Sequence, residues 1–287
     1  MPELPEVETI RRDLLPYLIG RTFERVDLYW PGVVKNMAPE EFQERLIGQA
    51  ITDIGRRGKY LLFDLCNGDT LVIHLKMAGS LILRSAGDPP DPSTRAIFYL
   101  DNGDELRFTD RRKFGAFWLV EDRDHVVGNL GPEPFDDIVT PQGMAVKLAK
   151  RNRAIKTILL DQNFIAGIGN IYADEALYEA CIHPMRKGRS LSAEEVERLY
   201  EAILSVLKRG IANRGTTLRD YRDAKGRSGE NQEQLLVFRR TGQPCPRCGT
   251  PIQRMVIGGR SSHFCPRCQS LDPSLSTCRD KSLSSTI

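Results

Sequence analysis

The 287-residue sequence lacks any apolar run that reaches the ~18 residues typical of a membrane span. Its first residues also lack the basic region and apolar core of a secretory signal peptide. The chain is too long to be a disulfide-dense miniature protein. We therefore expect a cytoplasmic protein with no membrane partner, long enough for two modest domains with a real hydrophobic core.

Acidic residues are missing from one part of the chain. The net charge of the whole chain is only +3, which argues weakly for an acidic partner. From Leu235 to Cys268, however, all the charged residues are arginines: Arg239, Arg240, Arg247, Arg254, Arg260 and Arg267. This basic segment favours nucleic acid as a partner. A solvated basic face on a small metal-stabilised fold is the alternative.

Four of the seven cysteines form two Cys-x-x-Cys pairs, Cys245 with Cys248 and Cys265 with Cys268. This spacing supplies four thiolates for one tetrahedral Zn²⁺ with no open position, which predicts a structural metal. A redox pair is the alternative, but a redox motif does not normally recur at zinc-ribbon spacing. We interpret the nearby His263 as a packing residue or hydrogen-bond donor, not as a fifth ligand.

The three remaining cysteines have weaker signals. Cys66 lies in a strand-like run and Cys181 lies near a predicted helix end, so both are expected to be inert packing residues. Cys278 has no assignable role.

Alternating and continuous apolar runs in the N-terminal half predict strands. The segments GKYLLFDLCNGDTLVIHLKM and RAIFYLDNGDELRFTD each place two such runs around an Asn-Gly turn. Several antiparallel runs without long helices between them favour a two-layer sandwich or a flattened barrel. The Pro- and Gly-rich stretch GNLGPEPFDD marks the end of this part.

The second half is predicted to be helical. Ser192 and Glu195 form a capping box ahead of a long amphipathic pattern. In KTILLDQNFIAGIGNIYADEALYEA a helical run breaks at two glycines, and a second run begins near Asn170. A glycine-rich entry to a helix suits a phosphate, although Asn170 as a simple helix cap is the alternative. The upstream basic segment KLAKRNRAIK favours phosphate contact.

The first ten residues, MPELPEVETI, are unusual for a chain end. Pro5 and Glu6 suit the first turn of a helix, and a helix start is the simpler interpretation. That interpretation leaves Pro2 and Glu3 unexplained. Loss of Met1 would expose the secondary amine of Pro2 beside a carboxyl group, and an α-amine with a pKa of about 8 is partly unprotonated at neutral pH. Such an amine can act as a nucleophile.

These segments together resemble the formamidopyrimidine-DNA glycosylase family, bacterial repair enzymes for oxidised purines. The resemblance rests on PELPEVE, GKYLLF, HLKMAGSL, TDRRKFG, GIGNIYADE and GGRSSHFCPRCQ, which run in order from Pro2 to Gln269. It implies an α+β fold with an N-terminal antiparallel β-sandwich, a helix-two-turns-helix domain, DNA in the cleft between them, and a C-terminal zinc-finger β-hairpin. The expected boundaries are 1–131, 132–234 and 235–269, with a disordered tail at 270–287.

The resemblance assigns the chemistry to particular residues. It implies that Pro2 is the nucleophile, that Glu3 is the acid assisting at the sugar, and that Glu6 is a supporting carboxyl group. Lys59 matches the lysine credited with proton transfer in β-elimination, and Arg260 matches the zinc-finger arginine that assists δ-elimination. The implied activity is excision of bases such as 8-oxoguanine, followed by strand cleavage at the abasic site.

DNA contacts are also implied by the resemblance. Met77, Arg112 and Phe114 match the residues that fill the gap left by a flipped base. The other implied contacts to phosphate or to the lesion side are His74, Arg151, Lys156, Asn170 and Arg260. The implied partner is duplex DNA containing an oxidised purine or an abasic site, bound by a monomer that holds one structural Zn²⁺.

Two features keep alternatives open. Where the family commonly has a DNA-contacting histidine, this chain has Ser93, with Arg95 as a possible substitute. The segment NRGTTLRDYRDAKGRSGENQ corresponds to the loop that folds over the flipped base, although its composition also fits an ordinary mobile loop. An endonuclease VIII-type enzyme for oxidised pyrimidines and a non-catalytic zinc-ribbon DNA-binding protein are the alternative functions.

Overall fold

The computed structural model describes residues 1–87, 89–272 and 274. The chain forms two compact units, one of residues 1–131 and 208–234, the other of residues 132–207 and the described residues from 235 onward. Compact units are not the same as independently folding domains, so the expected domain boundaries stay a prediction. The predicted tail falls almost wholly outside the described residues. No helix in the described part of the chain is long and apolar enough to cross a membrane.

Helix α1, Leu4–Leu18, opens the first unit. Four of its apolar side chains at helical spacing are completely buried: Val7, Ile10, Leu14 and Leu18. Burial of each contributes roughly 1.5–3 kcal/mol, so this stripe fixes the helix against the sheets. Pro16 lies inside the helix, which continues to Leu18. The helix start inferred from Pro5 and Glu6 is confirmed.

Eight antiparallel strands form the rest of this unit's framework. They are β1 Phe23–Leu28, β2 Ile51–Arg57, β3 Tyr60–Leu65, β4 Thr70–His74, β5 Gly79–Ser85, β6 Thr94–Leu100, β7 Asp104–Asp110 and β8 Ala116–Val120. One sheet has the order β1-β6-β7-β5 and the other β2-β3-β4-β8. A single buried cluster draws side chains from both sheets, including Phe63, Ile73, Phe98 and Phe108. The predicted β-sandwich is therefore confirmed.

Both Asn-Gly segments form the predicted turns between paired strands. Gly68 joins β3 to β4 and Gly103 joins β6 to β7, and both have positive φ angles of 91° and 83°. Glycine adopts this conformation without a side-chain clash. The prediction for Cys66 is wrong, because this residue lies in the turn after β3 and is exposed. Its thiol lies 3.2 Å from Gln49 Oε1.

Two short helices, α2 Pro39–Leu46 and α3 Asp124–Val127, complete the first unit's regular structure before residue 131. The second unit contains α4 Pro141–Ala149, α5 Ile155–Leu159, α6 Asn170–Glu179 and most of α7 Ala193–Ala212. The predicted capping box precedes α7, because Glu195 N donates to Ser192 Oγ at 3.2 Å and Ser192 N donates to Glu195 Oε2 at 2.9 Å. The helical prediction for this part is confirmed.

A two-stranded hairpin follows in the second unit. Strands β9 Gln253–Ile257 and β10 Arg260–Phe264 pair antiparallel, with Arg260 opposite Ile257. Gly258 and Gly259 form the turn, with φ angles of 56° and 74°. Two consecutive residues with positive φ are typical of the tight turn that matches strand twist. A Cβ on Gly258 would come within 2.8 Å of Thr157 Cγ2, so the turn packs closely on α5.

Candidate functional site

The start of α1 is held by the carboxylate of Glu6. Glu6 Oε2 accepts a hydrogen bond from Glu3 N at 2.7 Å, and Glu6 Oε1 accepts one from Thr216 N at 2.7 Å. Pro2, Glu3 and Glu6 are all buried, whereas the side chain of Met1 is 45% exposed. The first unit therefore places the predicted nucleophile and both predicted carboxyl groups at the positive end of one helix.

The segment 214–221 closes over this helix start. Gly215 has a φ of 80°, and a Cβ there would lie 2.9 Å from Glu6 Cγ. The hydroxyl of Tyr221 lies 3.1 Å from Arg214 O and 3.4 Å from Glu6 O. Thr216 and Tyr221 were not predicted as site residues. The adjacent glycine, which permits close approach, was the available signal in the sequence.

An ion-pair network anchors the same segment to α1. The guanidinium of Arg214 donates to Asp13 Oδ2 and to Asp223 Oδ2, both at 2.5 Å. The Asp223 side chain is completely buried and also accepts from Arg227 Nε at 3.1 Å. Hydrogen bonds from these arginines keep the pKa of Asp223 below its usual range although burial raises it. The carboxylate is therefore charged and holds residues 214 and 227 together.

Three arginines surround Glu8 on the next part of α1. Arg11 and Arg12 reach it from the helix itself, and Arg56 reaches it from β2 at 3.0 Å. Burial raises the pKa of Glu8, but the three hydrogen-bonded guanidinium groups outweigh it and lower the pKa to about 2. This cluster ties α1 to β2 and so fixes the direction of the helix that carries Pro2.

Lys59 and His74 lie at the same end of the second sheet of the sandwich, next to Tyr60 and paired with it, respectively. Lys59 lies in the turn between β2 and β3 and is buried. His74 ends β4, where its ring packs edge-on against Tyr60 and its Nδ1 accepts from Lys76 N at 2.8 Å. Burial lowers the pKa of His74 to about 3, with Lys76 and Lys59 adding to the effect. The imidazole is therefore neutral at physiological pH.

Two exposed apolar side chains occupy loops next to these strands. Met77 is 38% exposed and Phe114 is 49% exposed. Each follows a lysine in the left-handed region, Lys76 with φ 54° and Lys113 with φ 56°. Such backbone strain concentrates at functional loops. The guanidinium carbon of Arg112 lies 4.7 Å from the centroid of the Phe114 ring, so these two predicted DNA-contact residues lie together.

Asp110 builds the loop that carries Arg112 and Phe114. Its carboxylate accepts from Arg112 N at 2.9 Å, and from Phe114 N and Gly115 N at 2.8 Å. The residue is 1% exposed. Three backbone donors on one carboxylate fix the path of the exposed tip. Asp110 was not predicted, although its place directly before the basic turn was a signal.

In the second unit, Lys156 and Asn170 bind the hairpin strand. Lys156 Nζ donates to Asp174 Oδ1 at 2.5 Å and to Ser261 O at 2.8 Å, and its side chain is completely buried. Asn170 Nδ2 also donates to Ser261 O, at 2.9 Å. Gly169 is the N-cap of α6, so Asn170 is its first helical residue and not its cap. Both side chains thus fix the residue next to Arg260.

Asp174 connects this arrangement to His263. Asp174 Oδ2 accepts from His263 N at 2.9 Å and lies 3.0 Å from His263 Nδ1. The His263 ring packs against Phe238 with centroids 5.0 Å apart. His263 is therefore a packing and hydrogen-bonding residue, as predicted. Asp174 was missed, because an acidic residue inside a helix gives no sequence signal of its buried partners.

The basic segment before α5 has a different environment. Arg151 and Arg153 both lie near Asp161 Oδ2, at 3.6 and 3.5 Å. The guanidinium of Arg151 also lies 5.1 Å from the centroid of the Phe164 ring. Both arginines keep surface exposure, so their charge can reach solvent or a phosphate. Arg151 and Arg153 are thus accessible to solvent, whereas Lys156 is buried.

The four paired cysteines converge in the second unit. All of the Sγ atoms of Cys245, Cys248, Cys265 and Cys268 lie within 4.8 Å of one another. Four sulfurs bound at ~2.3 Å to a tetrahedral ion would lie ~3.8 Å apart. The measured separations of 3.9 Å for Cys245–Cys268 and 3.5 Å for Cys248–Cys265 fit that size. The hydroxyl of Tyr178 lies 3.3 Å from Cys245 Sγ.

Arg260 projects from the tip of the hairpin. It is the first residue of β10 and is exposed. Elsewhere in the second unit, the carboxylate of Glu175 accepts from the backbone N–H groups of residues 236, 237 and 238 at 2.8–3.0 Å. The Lys156–Asp174 pair holds the residue next to Arg260, because Lys156 donates to Ser261 O.

Arg95 does not extend toward solvent as a substitute for a histidine at Ser93. Its Nε donates to Asp110 O at 2.8 Å, and its Nη1 donates to Pro92 O and Thr94 O at 3.0 Å. Ser93 Oγ donates to Asp91 Oδ1 at 2.5 Å. Both side chains therefore stabilise the start of β6.

Three family models match the chain. They are the formamidopyrimidine-DNA glycosylase N-terminal domain over residues 1–117, the formamidopyrimidine-DNA glycosylase H2TH domain over residues 130–222, and the zinc finger found in FPG and IleRS over residues 242–271. The zinc-finger match includes all four paired cysteines.

Curated relatives match almost the whole chain. The chain is 50% identical over 273 residues to a formamidopyrimidine-DNA glycosylase of Herpetosiphon aurantiacus, covering 94% of this chain and 100% of the relative. It is 44% identical over 274 residues to the protein of the same name from Geobacillus kaustophilus, with the same coverage.

Solved structures agree with these matches. A complex of a Lactococcus lactis FPG mutant with DNA containing Fapy-dG has a TM-score of 0.88 and 34% identity, covering 94% of this chain and 100% of that one. A complex of the Lactococcus lactis Fpg with DNA containing an abasic site has a TM-score of 0.88 and 34% identity, covering 93% of this chain and 99% of that one.

Proposed function

The chain belongs to the formamidopyrimidine-DNA glycosylase family, and we propose that it excises oxidised purines from duplex DNA through the amine of Pro2. Glycosylase function in base-excision repair follows from membership of this family. The proposal adds the nucleophile, the class of damaged base and a second activity, cleavage of the strand at the resulting abasic site.

The observation that carries the proposal is the carboxylate of Glu6. It binds Glu3 N and Thr216 N at 2.7 Å each, and so holds the residue next to Pro2 in one position at the start of α1. Pro2 is buried there. Burial and the positive end of a helix both disfavour a protonated amine, so removal of Met1 would leave a nucleophilic nitrogen.

The chemistry begins with attack of the Pro2 nitrogen on C1′ of the damaged nucleotide. A nitrogen–carbon bond forms, the bond from C1′ to the base breaks, and the base leaves with a proton. Glu3 supplies a proton at the opening sugar, which leaves a cationic iminium between Pro2 and C1′. This cation makes the C2′ protons acidic.

Strand cleavage uses the same intermediate. A base removes a C2′ proton, the C3′–oxygen bond breaks, and the 3′ phosphate leaves, which is β-elimination. We assign Lys59 to proton transfer in this step and Arg260 to the second elimination, which releases the 5′ phosphate. Water then hydrolyses the iminium and restores the Pro2 amine. One nucleophile therefore supports both activities.

DNA recognition is assigned to the exposed residues of the two units. Met77 and Phe114 are apolar tips on strained loops, suited to fill the space of a flipped base. Arg112, stacked near Phe114, is suited to contact the opposing base. In the second unit Arg260 is exposed and Arg151 is partly exposed, and both are suited to bind phosphates, whereas the burial of Lys156 favours a supporting role.

A structural Zn²⁺ completes the proposal. Its ligands would be Cys245, Cys248, Cys265 and Cys268, because their sulfur separations fit one tetrahedral ion with no open position. The ion contributes folding energy to the hairpin and takes no part in catalysis. The hydroxyl of Tyr178 is placed to donate to the Cys245 sulfur and orient that ligand.

Borohydride trapping tests the assignment of Pro2. Reduction of the iminium during reaction with DNA containing 8-oxoguanine should give a covalent adduct whose modified peptide begins at Pro2. Insertion of one residue between Met1 and Pro2 turns the amine into an amide, so trapping, base excision and strand cleavage should all be lost together. A Glu44→Gln variant, changed on the exposed face of α2, is the matched control. An adduct mapped to Lys59 would overturn the proposal.

A substrate panel tests the class of base. Duplexes with 8-oxoguanine opposite C, 8-oxoguanine opposite A, and an oxidised pyrimidine should be compared under single-turnover conditions. Faster excision of the purine opposite C supports the proposal. A preference for the oxidised pyrimidine would instead indicate endonuclease VIII-type specificity.

A further inference from the structure

A cavity of about 670 Å³ lies on the outward face of β5, β6 and β7, in the first unit. Ser80, Ile82, Thr94 and Thr109 line it from these three strands. Five arginines also line it: Arg84, Arg107, Arg111, Arg219 and Arg222. None of the residues assigned to catalysis or to DNA contact lines this cavity.

Positive charge exceeds negative charge around the cavity. Arg107 pairs with Glu105 at 2.6 Å, and Arg111 and Arg219 both lie near Asp220. Asp91 is the other carboxylate on the wall. Within the part of the chain that the structure describes, Arg84 and Arg222 have no carboxylate within salt-bridge distance. The guanidinium groups therefore outnumber the carboxylates that can neutralise them.

The buried hydroxyl of Thr94 is the second observation. Thr94 is 3% exposed and lines the cavity, and its Oγ1 has no hydrogen-bond partner among the described residues. An unsatisfied buried hydroxyl costs about 1–3 kcal/mol, so such groups normally have a partner. A ligand oxygen that reached this hydroxyl would satisfy it.

We propose that this cavity binds the phosphate group of a nucleotide or of a nucleic-acid backbone. Guanidinium groups present paired N–H donors that match phosphate oxygens, and the Thr94 hydroxyl adds a neutral donor. The volume is in the range of small-molecule sites and exceeds what a phosphate alone would fill, so a nucleoside also has room. The cavity uses none of the residues assigned to excision, although Arg219, Asp220 and Arg222 belong to the segment that, by resemblance, folds over the flipped base.

Thermal unfolding with inorganic phosphate tests the site directly. Phosphate should raise the Tm of the full-length protein more than chloride at equal ionic strength. The double variant Arg84→Gln/Arg222→Gln should lose this difference, because it removes the two guanidinium groups without a carboxylate partner. The control Arg25→Gln removes one guanidinium group from β1 of the same sheet, outside the cavity, and should keep the difference. Equal responses of the double variant and the wild type would overturn the proposal.

A second variant keeps the test valid if the double variant folds poorly. Thr94→Val is nearly isosteric and removes the hydroxyl that has no partner. It should raise the Tm in the absence of phosphate and reduce the rise produced by phosphate. A Tm that falls without phosphate, or an unchanged phosphate response, would contradict a ligand-binding role for Thr94.

Two binding measurements distinguish the sources of the phosphate. If the ligand is a nucleic-acid backbone, the binding constant of the double variant for undamaged duplex should depend less steeply on salt. The slope of its logarithm against log salt should become shallower by ~2, and Arg25→Gln should leave this slope unchanged. If it is a free nucleotide, the slope should stay unchanged while the Tm rise with deoxynucleoside monophosphate is lost. No change in either measurement would overturn the proposal.

Discussion

The ammonium of Lys156 lies 2.5 Å from the carboxylate of Asp174, and both side chains are completely buried. The same ammonium donates to Ser261 O, so the ion pair reaches the strand that begins with Arg260. A buried charge whose partner is removed is far more costly than a surface charge. The pair therefore sets the position of the hairpin arginine in the second unit.

We expect Asp174→Asn to lower the free energy of unfolding by about 3–5 kcal/mol, because Lys156 would keep its buried charge without a carboxylate. Urea denaturation of the full chain measures this loss. Asp161→Asn, which changes a partly exposed carboxylate near Arg151 and Arg153, is the control and should cost less than about 1 kcal/mol. Equal losses in both variants would show that the buried Lys156–Asp174 pair contributes no more stability than the partly exposed carboxylate of Asp161.

Glu6→Gln should impair both the fold and the chemistry. A glutamine has one amide oxygen, so one of the two backbone donors, Glu3 N or Thr216 N, would face an NH₂ group. We expect a loss of about 1–3 kcal/mol in stability and a clear fall in single-turnover excision. Glu40→Gln on the exposed start of α2 serves as control. Full excision activity in Glu6→Gln would show that this carboxylate does not position the helix start.

Stability should fall in acid because of His74. Its folded pKa of about 3 lies below the ordinary value of 6.5, so the unfolded chain binds the proton first. The contribution of neutral His74 to the free energy of unfolding is fully present above pH 6.5. It is lost as the pH falls toward 3, by up to ~1.4 kcal/mol per pH unit. His74→Asn keeps an acceptor for Lys76 N, and its urea-unfolding curves between pH 7 and pH 4 should be flatter. An unchanged pH dependence would contradict the neutral buried imidazole.

Removal of zinc should unfold the hairpin and weaken DNA binding. A chelator such as EDTA should release one zinc per chain, as counted by metal analysis, and near-ultraviolet circular dichroism should change. Undamaged duplex should then bind less tightly, because Arg260 loses its support. Cys66→Ser, which changes an exposed cysteine outside the cluster, should leave the zinc content at one. Active protein without zinc would contradict the prediction.

Short-range patterns predicted much of the fold correctly. The helix start at Pro5 and Glu6, the Ser192–Glu195 capping box and the two Asn-Gly turns each depend on residues a few positions apart. The spacing of such residues largely determines the local backbone conformation. The four cysteines are also found from spacing, since each pair is local. Cys66 was placed wrongly because an apolar run gives no sign of the residue at which a strand ends.

Partners far apart in the chain could not be predicted. Thr216 meets Glu6 across 210 positions, and His263 meets Asp174 across 89. In the sequence, nothing distinguishes Lys156 from the other basic residues of KLAKRNRAIK. In the structure its side chain is buried, while Arg151 and Arg153 are partly exposed. Charge alone does not reveal which cation has a buried partner, because that depends on the tertiary fold.

The hydrogen bond between Thr216 N and the Glu6 carboxylate can form only late in synthesis of the chain. Pro2 is buried in the folded chain, so the peptide bond after Met1 is best cleaved before the fold closes. Thr216 leaves the ribosome only after more than two hundred further residues have been added. At about 5–20 residues per second, this takes roughly 10–40 s. During that interval an aminopeptidase can reach the start of the nascent chain, so the Pro2 amine that we propose as the nucleophile would be exposed before residues 214–221 fold over it.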